Sequence, residues 1–76
     1  MAPFLPGFPC NPGDVRFVGK PVDFVAFSGL TEKGHIDEIV LIEVKTGDSK
    51  LNENEKEVKR AVEEGRVRYA QWNWKN

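Results

Sequence analysis

Pro21-Val22-Asp23-Phe24-Val25-Ala26-Phe27 and Glu38-Ile39-Val40-Leu41-Ile42-Glu43-Val44-Lys45-Thr46 are two apolar runs separated by a polar, glycine-containing stretch over 28–37. Both are rich in β-branched and aromatic residues, which fit a pleated, half-buried surface, so each reads as a strand. Ile39 to Ile42 is apolar on both faces, as in a central strand. The stretch over 28–37 reads as a loop and joins the two as an antiparallel pair. The preferred register sets Phe24 against Ile42, Val25 against Leu41, Ala26 against Val40 and Phe27 against Ile39. The same register sets Asp23 opposite Glu43, while other registers of the same parity keep the faces and slide the pair diagonally.

Working outward, Val15-Arg16-Phe17-Val18 is a shorter strand, ended by Gly19-Lys20-Pro21. All five prolines lie within the first 21 residues. Proline removes backbone donors and biases its predecessor toward extended geometry, so 1–13 reads as an irregular arm and 14–76 as the domain proper. The arm carries Phe4, Leu5 and Phe8, which are expected to pack on the body. Downstream, 52–64 reads as a helix. Asn52 and Glu55 have capping-box spacing, Leu51, Val58, Ala61 and Val62 form the apolar stripe, and Gly65 ends the helix. Val67 to Trp72 reads as a last strand. Strand, helix and strand over 38–72 resemble one βαβ crossover, with its two strands parallel in one sheet. The expected fold is a small α/β (α+β) domain: a mixed sheet with one crossover helix, one face lacking a helix.

Composition narrows the functional classes. Seventy-six residues, 39% hydrophobic and 30% charged, make one small globular domain. No apolar run approaches the roughly 20 residues of a membrane span. Cys10 is the single cysteine and His35 the single histidine, which excludes an internal disulfide, a cysteine-rich zinc site and a histidine cluster. Cys10 reads as a plain thiol and His35 as an exposed loop residue. Residues 1–9 have no basic segment and too many prolines for a secretory signal, so a cytoplasmic, reducing setting is expected. The net charge of −1 lacks the basic excess of a nucleic-acid binder, so any contact with a polyanion needs a local patch or a bridging cation.

Three polar side chains interrupt the apolar strands: Asp23, Glu43 and Lys45. Strand side chains alternate between faces, so Glu43 and Lys45 share a face with Ile39 and Leu41, and Asp23 shares one with Val25 and Phe27. Opposed like charges about 4.5–5.5 Å apart at Cβ destabilise a sheet. A divalent cation removes that cost, and carboxylate oxygens suit Mg2+ or Mn2+. Lys45 beside the metal can orient a water and stabilise charge developing on a phosphate. The residues alone leave a second reading open, in which all three are solvated strand-end and turn residues.

Pro21-Val22-Asp23 followed, after nineteen residues, by Glu43-Val44-Lys45 matches the PD-(D/E)xK nuclease pattern. Leu5-Pro6-Gly7-Phe8, Asn11-Pro12, Asp14-Val15-Arg16-Phe17, Gly19, Phe24-Val25, Thr46-Gly47 and the segment over 61–67 extend the likeness. Together they resemble the endonuclease family related to archaeal Holliday junction resolvases, over nearly the whole chain. The resemblance implies a restriction-endonuclease-like core. It implies metal binding by Asp23, Glu43 and the Val44 carbonyl, catalysis by Asp23, Glu43 and Lys45, and DNA, including branched DNA, as substrate. The superfamily's usual first helix, often the source of another metal-site glutamate, is replaced here by the proline-rich arm, and no glutamate precedes Glu32. Glu55 is a candidate replacement. The missing helix leaves a sheet face to be covered by a homodimer partner, another protein or the arm. The alternative function is a non-catalytic nucleic-acid-binding or assembly module on a reduced nuclease fold.

Ser49 and Lys50 precede the helix N-terminus, where free N–H groups favour anions, and Lys20 precedes Asp23; these three are the candidate DNA contacts. Arg66 and Arg68 follow the helix as further candidates. Tyr69, Trp72 and Trp74 read as core or dimer-interface residues, with base stacking as the other possibility.

Overall fold

The computed structural model describes residues 6–75. A 3-10 turn over Pro12–Asp14 leads into strand β1 (Val15–Gly19) and strand β2 (Val22–Ser28). A single helical turn, α1 (Leu30–Lys33), then strand β3 (Glu38–Ile42) and helix α2 (Glu53–Glu63) follow. The strands form one sheet in the order β1-β2-β3, antiparallel throughout.

The β2–β3 register is the one expected from the sequence: Phe24 pairs with Ile42, Val25 with Leu41, Ala26 with Val40 and Phe27 with Ile39. β3 ends at Ile42 rather than Thr46. The Val44 N–H donates to Asp23 Oδ2 at 2.9 Å, so a side chain takes the place of the next ladder bond.

Two other expectations are corrected. The segment over 28–37 is not a plain loop, because α1 forms between Gly29 and Gly34, both with positive φ. Buried Asp14 anchors that turn by accepting the Thr31 N–H at 2.7 Å and the Gly29 N–H at 3.2 Å. The strand expected over Val67–Trp72 does not form, and the sheet is antiparallel rather than mixed. Residues 67–75 have no regular structure, and Tyr69, Trp72 and Trp74 are 90%, 84% and 74% exposed, so they are not core residues of a single copy. Aromatic and β-branched residues give strand propensity, but propensity does not supply a pairing partner. The class that remains is a small α/β fold: a three-stranded sheet followed by one substantial helix.

The core is slight. Ala26 and Ile42 are the buried apolar residues among those described. On the same sheet face Phe24 meets Phe8 and Phe17 edge-on, with ring centroids 6.4 and 6.1 Å apart. The arm therefore covers part of this face through Phe8, as expected; Phe4 and Leu5 lie outside the described residues. Asn52 caps α2 in a complete capping box with Glu55. At the other end Gly65 N–H reaches Val62 O and Arg66 N–H reaches Ala61 O, the Schellman pattern around a left-handed glycine. Between β3 and α2 lies a cavity of about 540 Å³ walled by Ile39, Leu41, Leu51, Val58 and Val62.

Candidate active site

The site sits where β2 begins and β3 ends. Pairing of Phe24 with Ile42 brings the residues just outside the ladder, Asp23 and Glu43, side by side. Asp23 is fixed by its bond from the Val44 amide, which also ties the residue between Glu43 and Lys45 to β2. Lys45 Nζ lies 3.6 Å from Glu43 Oε1 and 2.8 Å from Glu55 Oε1. Glu55 arrives from the first turn of α2, where the same Oε1 accepts the Asn52 N–H at 2.8 Å. Three carboxylates and one ammonium thus converge from β2, the end of β3 and the start of α2.

The electrostatics follow from crowding. Burial holds the Glu43 carboxyl above the usual carboxylate range, and a hydrogen bond with Glu55 and the charge of Asp23 add to this. Glu55 moves the other way, because Lys45 and the Asn52 amide stabilise its charge. Lys45 is raised above the ordinary lysine value by Glu55 first and by Glu43 as well, so it is an ammonium at neutral pH. Glu43 Oε2 is buried and has no hydrogen-bond partner. A buried acceptor without a partner is costly, and a carboxylate oxygen more so.

Asp23 and Glu43 offer hard oxygen donors, and the unpartnered Glu43 oxygen is one that a cation would satisfy. The donor set fits Mg2+ or Mn2+ in chemical type. Among the described residues no three His, Cys, Asp or Glu side chains are arranged to hold a metal ion. Glu55 is turned to Lys45 and to its own helix cap, so the side-chain ligands for a cation come down to two carboxylates.

The candidate DNA contacts flank this cluster along the chain. Lys20 is exposed in the β1–β2 turn, and Ser49 and Lys50 are exposed between Lys45 and α2. The N-terminus of α2 is already occupied by its own cap, so an anion there would compete with Asn52 and Glu55. Arg66 is paired with Glu64 at 3.0 Å. His35 stays exposed in the α1–β3 connection, 3.0 Å from Asp37, and burial pushes the Cys10 thiol up, as for a plain unreactive thiol.

Across residues 1–74 the chain matches the family described as endonuclease related to archaeal Holliday junction resolvase. The chain belongs to that family. No curated protein and no solved structure gives a significant match. Membership in this resolvase-related nuclease family agrees with the convergence of Asp23, Glu43 and Lys45. Those are the residues at which its PD-(D/E)xK pattern was read in the sequence. The sequence offers Glu55 as a capping residue and as a candidate third metal carboxylate; in the structure it caps α2 and bonds Lys45, and that bond depends on how α2 docks.

Proposed function

We propose that this protein is a divalent-metal-dependent endonuclease that hydrolyses DNA phosphodiester bonds, with branched or four-way-junction DNA as its preferred substrate. The observation that carries the reading is the meeting of Asp23, Glu43 and Lys45 at one strand end, with a buried Glu43 oxygen lacking a partner. Asp23 and Glu43, with the Val44 carbonyl, would hold Mg2+ or Mn2+. A bound cation of this kind lowers the pKa of water and neutralises charge on a phosphate. The protein's own groups do the rest. Lys45 holds an ammonium where charge accumulates on the scissile phosphate and orients the attacking water through its remaining N–H groups. Asp23 locks the Glu43–Lys45 segment through the Val44 amide, so both ends of the reacting array move together. Lys20, Ser49 and Lys50 contact the DNA backbone on either side. The preference for branched DNA rests on the family's relation to junction resolvases.

Two copies form the working unit. What supports this is surface: the chain exposes 6460 Å², against about 4,700 Å² for a compact monomer of 8.6 kDa. The excess, roughly 1,800 Å² per chain, is more than the ~800 Å² that a standard interface removes from each partner. Val67, Tyr69, Trp72 and Trp74 are exposed in one copy and are apolar and aromatic side chains of the kind that interface cores bury.

The test is cleavage of a four-way junction and a linear duplex in Mg2+ or Mn2+, with calorimetric titration of the metal. Cleavage should need the metal. Asp23→Ala and Glu43→Ala should each abolish both metal binding and cleavage, and Lys45→Ala should slow cleavage about 10²- to 10⁴-fold. Cleavage that survives Lys45→Ala, or a folded protein that takes up no metal at millimolar concentration, leaves the non-catalytic module as the better reading. The lack of a third metal-facing carboxylate among the described residues favours that alternative.

A further inference from the structure

One oxygen of Glu55 does two things. Glu55 Oε1 accepts the Asn52 N–H at 2.8 Å, which closes the capping box of α2. The same atom accepts from Lys45 Nζ at 2.8 Å, shorter than the 3.6 Å from that ammonium to Glu43. The Glu55 side chain is 11% exposed, so this pair is less open to water than the surface ion pairs Lys33–Asp37 and Lys56–Glu53. Lys45 itself lies beyond the end of β3, outside the ladder. A flexible ammonium on four methylenes needs a fixed acceptor to keep one position. A capping-box glutamate is such an acceptor, because its own geometry is set by the helix backbone.

We propose that Glu55 is a positioning residue that holds Lys45 beside Glu43, its own carboxylate fixed by the Asn52 backbone amide at the start of α2. The role assigned to Lys45 rests on the nuclease reading above; the clamp itself does not. One carboxylate oxygen therefore serves both the cap and the clamp, while the Asn52 side chain serves the cap alone. Displacing Glu55 frees the lysine and frays the helix at once, whereas removing the Asn52 side chain frays the helix but leaves Glu55 its backbone amide and Lys45.

The experiment measures Lys45-specific acetylation by acetic anhydride, read by peptide mass spectrometry, in the full chain and three variants, alongside thermal unfolding. In Glu55→Ala, Lys45 should label about three- to fivefold faster than in wild type, the size of change expected from losing one ordinary ion pair. Glu55→Gln keeps an oxygen for the Asn52 amide and a neutral acceptor for the ammonium. It should recover the melting temperature and leave Lys45 labelling between wild type and Glu55→Ala. Asn52→Ala should lower the melting temperature with Lys45 labelling near wild type. Equal Lys45 labelling in wild type and Glu55→Ala overturns the clamp. So does Asn52→Ala labelling as fast as Glu55→Ala, because the effect would then be helix fraying alone. Where the wild type cleaves DNA, Glu55→Ala should lower kcat with little change in KM. A protein that cleaves nothing yet shows the labelling pattern retains the clamp and loses the nuclease reading.

Discussion

Glu43 is a side chain the fold tolerates at a cost. Its Oε2 is buried without a partner, and burial, Glu55 and Asp23 hold its carboxyl above the usual range. An acid raised in this way favours the folded state while it is protonated, and that contribution is lost as pH rises through the folded value. Metal-free Glu43→Gln should therefore melt a few degrees higher than wild type at neutral pH, with the difference shrinking toward pH 4 and catalysis gone; circular dichroism melts at both pH values check this. Millimolar Mn2+ should raise the melting temperature of wild type and not of Glu43→Gln. Asp14 has the opposite sign. Hydrogen bonds from Thr31, and then from Gly29, hold it below the ordinary carboxylate value. Its contribution is present above about pH 4, the unfolded value, and disappears as pH falls through the lower folded one. Asp14→Asn should flatten the acid limb of stability, read as melting temperature between neutral pH and pH 2. Asp23, Glu43 and Lys45 stood out in the sequence because charged residues at the ends of apolar strands need a reason and because they match the PD-(D/E)xK pattern. Asp14 did not, because its partners lie 15 and 17 residues away across a turn whose closure local sequence does not specify.

At the level of elements, each boundary reflects a local bond. α2 begins and ends where the Asn52–Glu55 pair and Gly65 put its termini, because caps satisfy orphan amides and carbonyls within a few residues of sequence. Asn52→Ala should cost about 1 kcal/mol, a loss of roughly 4–8 °C for a domain of this size by thermal melting. Gly29 is the tightest point of the β2–α1 corner. It has φ of 99°, and a Cβ there would meet Asp37 Oδ2 and the His35 carbonyl at 2.9 Å. Gly29→Ala should destabilise more than Gly34→Ala, whose Cβ would meet nothing within 4 Å; urea unfolding of the two variants compares them. The corner reads as loop in the sequence because a four-residue helix carries too few residues for a periodic signal. β3 is shorter than its sequence suggests for a related reason: Val44 looks like a strand residue, but its amide is taken by Asp23.

The whole molecule is less closed than its sequence suggests. Its radius of gyration is 14.4 Å, against about 11.4 Å for a compact chain of this length. The buried apolar core among the described residues is Ala26 and Ile42, and an open cavity separates β3 from α2. Pairing of two copies should therefore add stability: sedimentation at tens of micromolar should give twice the 8.6 kDa of one chain, and Trp72→Ser with Trp74→Ser should return it to monomer. A wild type that stays monomeric at those concentrations contradicts the dimer. The sequence by itself determined the two apolar strands and the capped helix, and it favoured, among registers of the same parity, the one that sets Asp23 beside Glu43, since strand alternation and capping chemistry are properties of short segments. Only the tertiary structure decided that Val67 to Trp72 stays unpaired, that Asp14 ties down α1 and that Glu55 reaches Lys45. Each of those depends on distant parts of the chain coming together, and no local preference encodes where a partner will be.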